Sequence, residues 1–236
     1  MLKDVNTVFI DEFKQSFRNK KFLFLIIVLI LVWFIMRIAS SMLVILYVII
    51  KPANMLPHTI LMPFYLSYII LPVTAIIMSY DSIAEETQKH HVRYLASKIS
   101  RSSIFLGKFL NNVLLLSVYI IILFSSALIT TYFYSKVLLI KEAFLIVIQL
   151  IAFTIALLSI TMLCSTISKT THGALKLCIF LLTLLIITAM NIKIRMLSLI
   201  YYYPAILNSF IPVLIFMIYI IICTLSALVI LERKDL

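Results

Sequence analysis

The chain has 236 residues, a formal net charge of +11 and 64% apolar residues, with a mean hydropathy of +1.19. This composition indicates a protein of the lipid bilayer rather than a soluble domain. The chain's two glycines, Gly107 and Gly173, lie far apart. Glycine-rich phosphate loops need two or three glycines within a few residues, so the sequence excludes nucleotide sites of the P-loop and dinucleotide-binding types.

Residues 1–21 carry an apolar position every fourth residue, at Val5, Phe9, Phe13 and Phe17, with polar residues between them. This spacing predicts an amphipathic helix that lies at the membrane interface with its apolar side in the lipid. The alternative is an ordinary basic tail before the first membrane span.

Six apolar stretches follow, and each is close to the roughly 20 residues that a helix needs to cross a bilayer. They leave no room for a soluble domain, so we expect one transmembrane domain over residues 1–236, with six spans within 22–231. Their apolar runs are continuous, which favours an all-α integral membrane protein over a barrel. The stretches are Phe22–Tyr47, Thr59–Tyr80, Phe109–Phe133, Ala143–Ser165, Leu175–Met190 and Ser209–Leu231.

The first stretch contains Arg37, an ionisable residue deep in an apolar run. A charge inside the membrane is by default a functional candidate, here for a substrate path or an interface. Alternatively, the Arg37 side chain reaches the outer interface along a tilted helix.

Segment 81–108 joins the second and third stretches and mixes charged with apolar positions. Glu85 and Lys89 are four residues apart in the order that stabilises a helix. Ser100 or Ser102 fits the N-cap of a second helix that begins near Ser103 and continues into the third span. We expect a helix, a turn and a helix that dock a partner; the alternative is a solvated loop.

The basic residues are distributed unevenly along the chain. Most lie near the two termini, within segment 81–108 or at Lys169 and Lys176. The positive-inside rule therefore predicts that both termini and segment 81–108 are cytoplasmic. Because these residues are spread over several short segments, we do not expect nucleic-acid binding.

The remaining polar features suggest no separate chemistry. Cys164, Cys178 and Cys223 lie in apolar stretches and fit small buried side chains. The stretches contain no midplane carboxylate and no glycine break, which disfavours an ion-coupled transporter. Residues 201–204, Tyr-Tyr-Tyr-Pro, fit an interfacial aromatic belt or a short re-entrant element.

Short motifs recur in a characteristic order along segment 81–108. They are Ile83-Ala84-Glu85-Glu86, Tyr94-Leu95, Ile99-Ser100-Arg101 and Leu106-Gly107-Lys108-Phe109. The chain ends add Glu12-Phe13, Arg18-Asn19-Lys20 and the last five residues, Glu232–Leu236. Over its whole length the sequence resembles the type-2 ABC exporter permeases. It departs from that family at His90-His91, where Gly-Thr is usual, and at Lys98, where Pro is usual.

The resemblance implies a permease subunit of an ATP-driven exporter in the plasma membrane. Such a subunit works with two cytoplasmic ATPase subunits and a second permease chain, identical or different, and has no enzyme activity or cofactor of its own. A hydrophobic or amphipathic cargo, such as a peptide or drug, suits the short apolar chain. The residues expected to contact or position the ATPase-facing helix are Glu85, Glu86, Lys89, Arg93, Arg101 and Lys108.

Two other classes of function remain open. One is a membrane adaptor or immunity protein that transports nothing; the other is an ion-coupled secondary transporter. Neither alternative predicts a stable complex with a separate ATPase.

Overall fold

Helices satisfy backbone hydrogen bonds within a single segment, which is what an apolar chain in lipid requires. The computed structural model describes residues 2–18, 22–35, 38, 58–88, 100–135, 140–190 and 211–233, and these residues form helices and connecting turns without a strand. The helices are α1 (Leu2–Arg18), α2 (Phe22–Ile35), α3 (His58–Ser79), α4 (Ala84–Gln88), α5 (Arg101–Ser135), α6 (Ile140–Ile167), α7 (Thr171–Met190) and α8 (Ile211–Arg233).

Helices α2, α3, α5, α6, α7 and α8 overlap the six predicted apolar stretches in order. Of the first stretch, residues 36, 37 and 39–47 lie outside the described residues. Three described segments, Arg101–Ile129, Ala143–Ile167 and Val213–Arg233, are long and apolar enough to cross a membrane. Phe22–Ile35 and Thr171–Leu184 are shorter apolar helices. The all-helical membrane fold is confirmed, while six crossings and cytoplasmic termini stay predictions.

Helix α6 lies at the centre of the described helices, because it packs against α3, α5, α7 and α8. In its most apolar stretch 61% of the residues are buried, against 11% in α8. Leu150, Leu158 and Met162 of α6 are completely buried. Helix α8 therefore buries only a narrow strip of its surface against the other helices. The rest of its apolar surface is exposed.

Helix α5 starts eight residues before the predicted third span, since it begins at Arg101 rather than Phe109. Ser100 caps it, because its hydroxyl oxygen accepts from the Ser103 amide at 3.4 Å. The same amide also donates to the Ser100 carbonyl oxygen at 3.0 Å. The prediction of a capped helix that runs into the third span is confirmed, with Ser100 as the cap.

The N-terminal segment is helical, as its spacing predicts, but its apolar stripe does not lie wholly toward lipid. Helix α1 packs against α5, where Val5 is buried and Phe13 contacts the main core. Phe17, at the other end of the stripe, is 51% exposed. The stripe winds around the helix because a period of four residues exceeds the helical 3.6, so its two ends face different surroundings.

Candidate functional site

Helix α4 is a single short helix, and its N-terminus is fixed on α6. The backbone amides of Ile83 and Ala84 both donate to the Ser165 hydroxyl oxygen at 3.0 Å. Ala84 is the first residue of α4. One turn earlier on α6, the Thr161 hydroxyl lies 2.5 Å from the hydroxyl of Ser79, the last residue of α3. A side-chain oxygen that accepts the free amides of a helix start acts as a cap, so α6 holds both the end of α3 and the start of α4.

A charged cluster, which we call the Lys108 clasp, joins three helices beside this cap. The Nζ atom of Lys108 on α5 lies 2.8 Å from Oε1 of Glu12 on α1. It also lies 2.8 Å from Oε1 of Glu86 on α4. An ammonium group has three donors and can serve two carboxylates on different helices, so one lysine connects α1, α4 and α5.

The Lys108 clasp is mostly shielded from solvent. The side chain of Lys108 is 12% exposed, and those of Glu12 and Glu86 are 26% and 16% exposed. The second oxygen of Glu86, Oε2, is buried and accepts no hydrogen bond within the part of the chain that the structure describes. Two carboxylates thus share one ammonium in a poorly solvated place, where loss of the cation would leave charge uncompensated.

Helices α1 and α5 approach closely beside the clasp because residue 107 has no side chain. A Cβ atom at Gly107 would lie 2.7 Å from Cγ1 of Val8 and 3.2 Å from the backbone nitrogen of Phe9. Farther along the same contact, Nδ2 of Asn111 donates to the Ser16 hydroxyl at 2.9 Å. The α1–α5 interface therefore combines a close backbone approach with a hydrogen bond and an ion pair.

The far end of α4 is joined to α7. The side-chain oxygen of Gln88 accepts from the backbone amide of Thr171 at 3.4 Å and from its hydroxyl at 3.3 Å. Thr171 is the first residue of α7, where free amides need acceptors. Over five residues, α4 is thus bound to α6 at its start, to α5 and α1 through the clasp, and to α7 at its end.

Arg101 contributes to the same end of the bundle in a different way. Its Nη1 atom donates to the backbone oxygen of Leu231, in the last turn of α8, at 3.4 Å. A cation at a helix C-terminus satisfies a free carbonyl and complements the helix dipole. Arg101 therefore joins the start of α5 to the end of α8.

Of the predicted site residues, the structure brings Glu86 and Lys108 into direct contact. Glu85 precedes Glu86 on α4 and is partly exposed. Arg37, Lys89 and Arg93 lie outside the described residues, as do His90, His91, Lys98 and residues 201–204.

Glu12 is a site residue that the sequence prediction missed. It lies three residues after Phe9 and seven after Val5, so it belongs to the apolar side of α1 rather than to its polar side. An acid on such a stripe needs a cationic partner when the stripe is packed. The acid on the apolar side of α1 was the available signal that Glu12 needs a cationic partner. It did not identify that partner as Lys108 on α5.

The described residues offer no ready site for a metal ion. Within the described ranges, no three His, Cys, Asp or Glu side chains are grouped as metal ligands. Cys164 and Cys178 are buried in a small apolar cluster with Ile76, as expected for structural thiols.

These features define a polytopic helical membrane protein whose helix ends are joined through a short charged helix. Residues 6–201 match the family of ABC-2 family transporter proteins. Because the match covers most of the chain, the protein belongs to that family, whose members are permeases of ABC transporters and work with ABC ATPase subunits. No curated protein matches the chain.

Proposed function

We propose that the chain is the membrane-spanning subunit of an ATP-driven exporter, and that a separate ATPase acts on it through α4. The attachment of α4 to α1, α5, α6 and α7 carries this proposal. A push or pull on α4 would reach the ends of four helices at once. Together with membership of the ABC-2 family, this geometry favours a receiver of mechanical work from another subunit.

Six crossings with both termini in the cytoplasm fit the contacts at this junction. The Lys108 clasp joins α1 to the start of α5, and Arg101 joins the start of α5 to the end of α8. The N-terminal helix and the last helix therefore meet at one end of the bundle, as an even number of crossings requires. The excess of Lys and Arg in these segments supports a position of this end of the bundle on the cytoplasmic side. We place the protein in the plasma membrane.

The length of α5 supports a position for α4 beyond the hydrocarbon layer. Helix α5 has 35 residues, which extend about 52 Å, whereas the hydrocarbon core is about 30 Å thick. Its first turns, including Arg101 and Lys108, therefore extend past the apolar layer. The clasp and α4 would then lie at the membrane surface, within reach of a cytoplasmic protein.

On α4, Glu85, Glu86 and Thr87 are partly exposed and Gln88 is exposed. Glu85 is a partly exposed acid on this helix, and we assign it to direct contact with the ATPase. Glu86 would position α4 through Lys108. We place Lys89 and Arg93, which follow in the sequence, in the same ATPase-coupling segment.

The transport unit would contain two ATPases and a second permease chain, identical or different. Helix α8 supports such pairing, because Leu214, Ile218 and Leu225 on its outer side are each more than half exposed. The apolar spans favour a hydrophobic or amphipathic cargo, such as a peptide or drug, that moves outward. We place Arg37 on the substrate path or at the interface between permeases.

Purification of the tagged chain from membranes of its own cells tests the partnership. We expect vanadate-sensitive ATP hydrolysis to copurify with the chain. Retention of this activity should fall at least tenfold in the E85Q/E86Q variant, because Glu85, the acid assigned to the contact, loses its charge. The control is E232Q, which removes an exposed acid at the same end of the bundle and should retain the ATPase.

Three outcomes would contradict the proposal. Unchanged ATPase retention in E85Q/E86Q would remove Glu85 from the contact. Uphill transport by the purified chain in vesicles, driven by an ion gradient without ATPase, would instead identify a secondary transporter. A chain that never copurifies with ATP hydrolysis would support an adaptor.

A further inference from the structure

Helix α1 has an apolar strip that the described part of the protein leaves uncovered. Its inner side, with Glu12 and Ser16, faces α5. Ile10 and Phe17 lie two turns apart on another side and are 41% and 51% exposed. A strip of this kind on a short helix beside a membrane span is suited to contact with lipid.

A basic strip runs directly beside the apolar one. Lys14 and Arg18 are four residues apart on one side of α1, and both are exposed. With Asp11 and Gln15 they line one open groove. Residues 14–21 contain Lys14, Arg18, Lys20 and Lys21 and no acid, so this end of α1 is strongly basic.

The Lys108 clasp increases this asymmetry of charge. Glu12 is the acid nearest to the basic strip in sequence, and its carboxylate is directed to Lys108 on α5. Its charge is therefore partly compensated within the protein, by an ammonium that it shares with Glu86. Asp11 lines the same groove as Lys14 and Arg18, so two cations against one acid leave the outer surface of the second half of α1 with a net positive charge.

A ring contact places this surface beside the first residue of an apolar helix. The rings of Phe17 and Phe22 lie 4.5 Å apart between centroids. Phe22 is the first residue of the apolar helix α2. The end of α1 is therefore level with the start of an apolar helix, where phosphate headgroups meet acyl chains.

We propose that Lys14 and Arg18 bind the phosphate groups of anionic phospholipids in the inner leaflet, while Ile10 and Phe17 enter the acyl region. Basic segments next to a membrane span attract anionic lipids. Since the clasp connects α1 to α4, bound lipid would hold the ATPase-facing junction at the membrane surface. This inference rests on the cytoplasmic position of α1 given by the proposed function.

The chain's single tryptophan, Trp33, provides a direct readout. Trp33 is 40% exposed on α2 and lies about 16 Å along the helix from Phe22, at acyl-chain depth. The full chain is reconstituted in phosphatidylcholine vesicles that contain either dibrominated phosphatidylglycerol or dibrominated phosphatidylcholine. We expect the quenching of Trp33 to show that the anionic lipid binds the protein about fivefold more tightly than phosphatidylcholine does. Addition of 0.5 M salt should reduce this preference.

Matched variants assign the preference to the basic strip. K14Q/R18Q should lose it, and K14R/R18K, which keeps both charges, should retain it. The control K169Q/K176Q removes two other exposed basic residues and should behave like the wild type. Equal quenching by both lipids in the wild type, or equal loss in both neutralised pairs, would overturn the inference.

The measurement separates this inference from the proposed function. It uses the chain without an ATPase, so its failure would leave the ATPase partnership untouched. If the basic strip instead met an acidic ATPase surface, the two lipids would quench equally and K14Q/R18Q would lower ATPase retention, which overturns lipid binding.

Discussion

At the scale of single residues, Lys108 connects three helices because of the shape of its charged group. A lysine ammonium is a compact charge with three donors, whereas the planar fork of arginine matches one carboxylate best. The two carboxylates at 2.8 Å come from α1 and α4, so they approach from separate helices. Their low exposure strengthens the attraction, and it also raises the cost of losing the cation.

The K108Q variant should therefore be markedly destabilised. It leaves Glu12 and Glu86 close together without a cation, and we expect a loss of about 2–4 kcal/mol in the free energy of unfolding. Thermal unfolding of the purified chain in detergent, followed by Trp33 fluorescence, measures the effect. K169Q, which removes an exposed lysine, should change stability by less than about 0.5 kcal/mol.

The stability of the E86Q variant is compared with that of K108Q. The E86Q substitution removes the acid whose second oxygen is buried without a hydrogen bond among the described residues, and Lys108 keeps Glu12 as a partner. We expect E86Q to cost less than K108Q. Equal stability of K108Q and K169Q would show that the clasp contributes nothing measurable.

At the scale of helices, the α1–α5 contact depends on a missing side chain. Gly107 is in the first turns of α5, where glycine lowers helix stability by up to about 1 kcal/mol relative to alanine. The structure explains its presence by the position of Val8, whose Cγ1 would lie 2.7 Å from a Cβ atom at residue 107. A larger residue there would push α1 away and lengthen the Glu12–Lys108 contact.

The G107A variant should thus be less stable than the wild type despite its better helix propensity. We expect a loss of about 1–3 kcal/mol from overpacking, measured by thermal unfolding. The V8A/G107A pair should recover part of it, because Val8→Ala removes the opposing methyl groups. The other glycine supplies the control, since a Cβ at Gly173 would meet Thr170 Oγ1 at 3.1 Å and only that side chain must adjust.

Sequence patterns predicted most elements, because both membrane spans and α1 have strong local signals. Apolar runs located six helices, and the spacing of Val5 and Phe13 located α1. The serine cap was predicted to within two residues, with Ser100 as the cap. Local patterns could not reveal that Glu12 meets Lys108 across 96 positions, or that Ser165 caps α4. These contacts depend on which helices become neighbours, and short-range periodicity does not specify that.

At the scale of the whole molecule, the separate contacts of α4 form one connected junction. Ser165 ties it to the central helix α6, Gln88 to α7, and the Lys108 clasp to α1 and α5. If an ATPase moves α4, then α6 and α7, which are held by hydrogen bonds, would move together with α1 and α5, which are held by the ion pairs. Weakening one of these connections should then lower the amount of cargo transported per ATP hydrolysed. It should affect ATPase binding less.

The K108Q variant tests this at the level of the assembled transporter, under conditions where it remains folded. Because Glu85 stays in place, we expect the ATPase to remain associated and to hydrolyse ATP. Transport per ATP should fall, since α4 can then move without carrying α1 and α5. The measurement is cargo export and phosphate release in the same proteoliposomes, with K169Q as the control. An unchanged ratio of cargo to ATP in K108Q would mean that force reaches the spans through α6 and α7 alone, and that the clasp serves only to hold α1 in place.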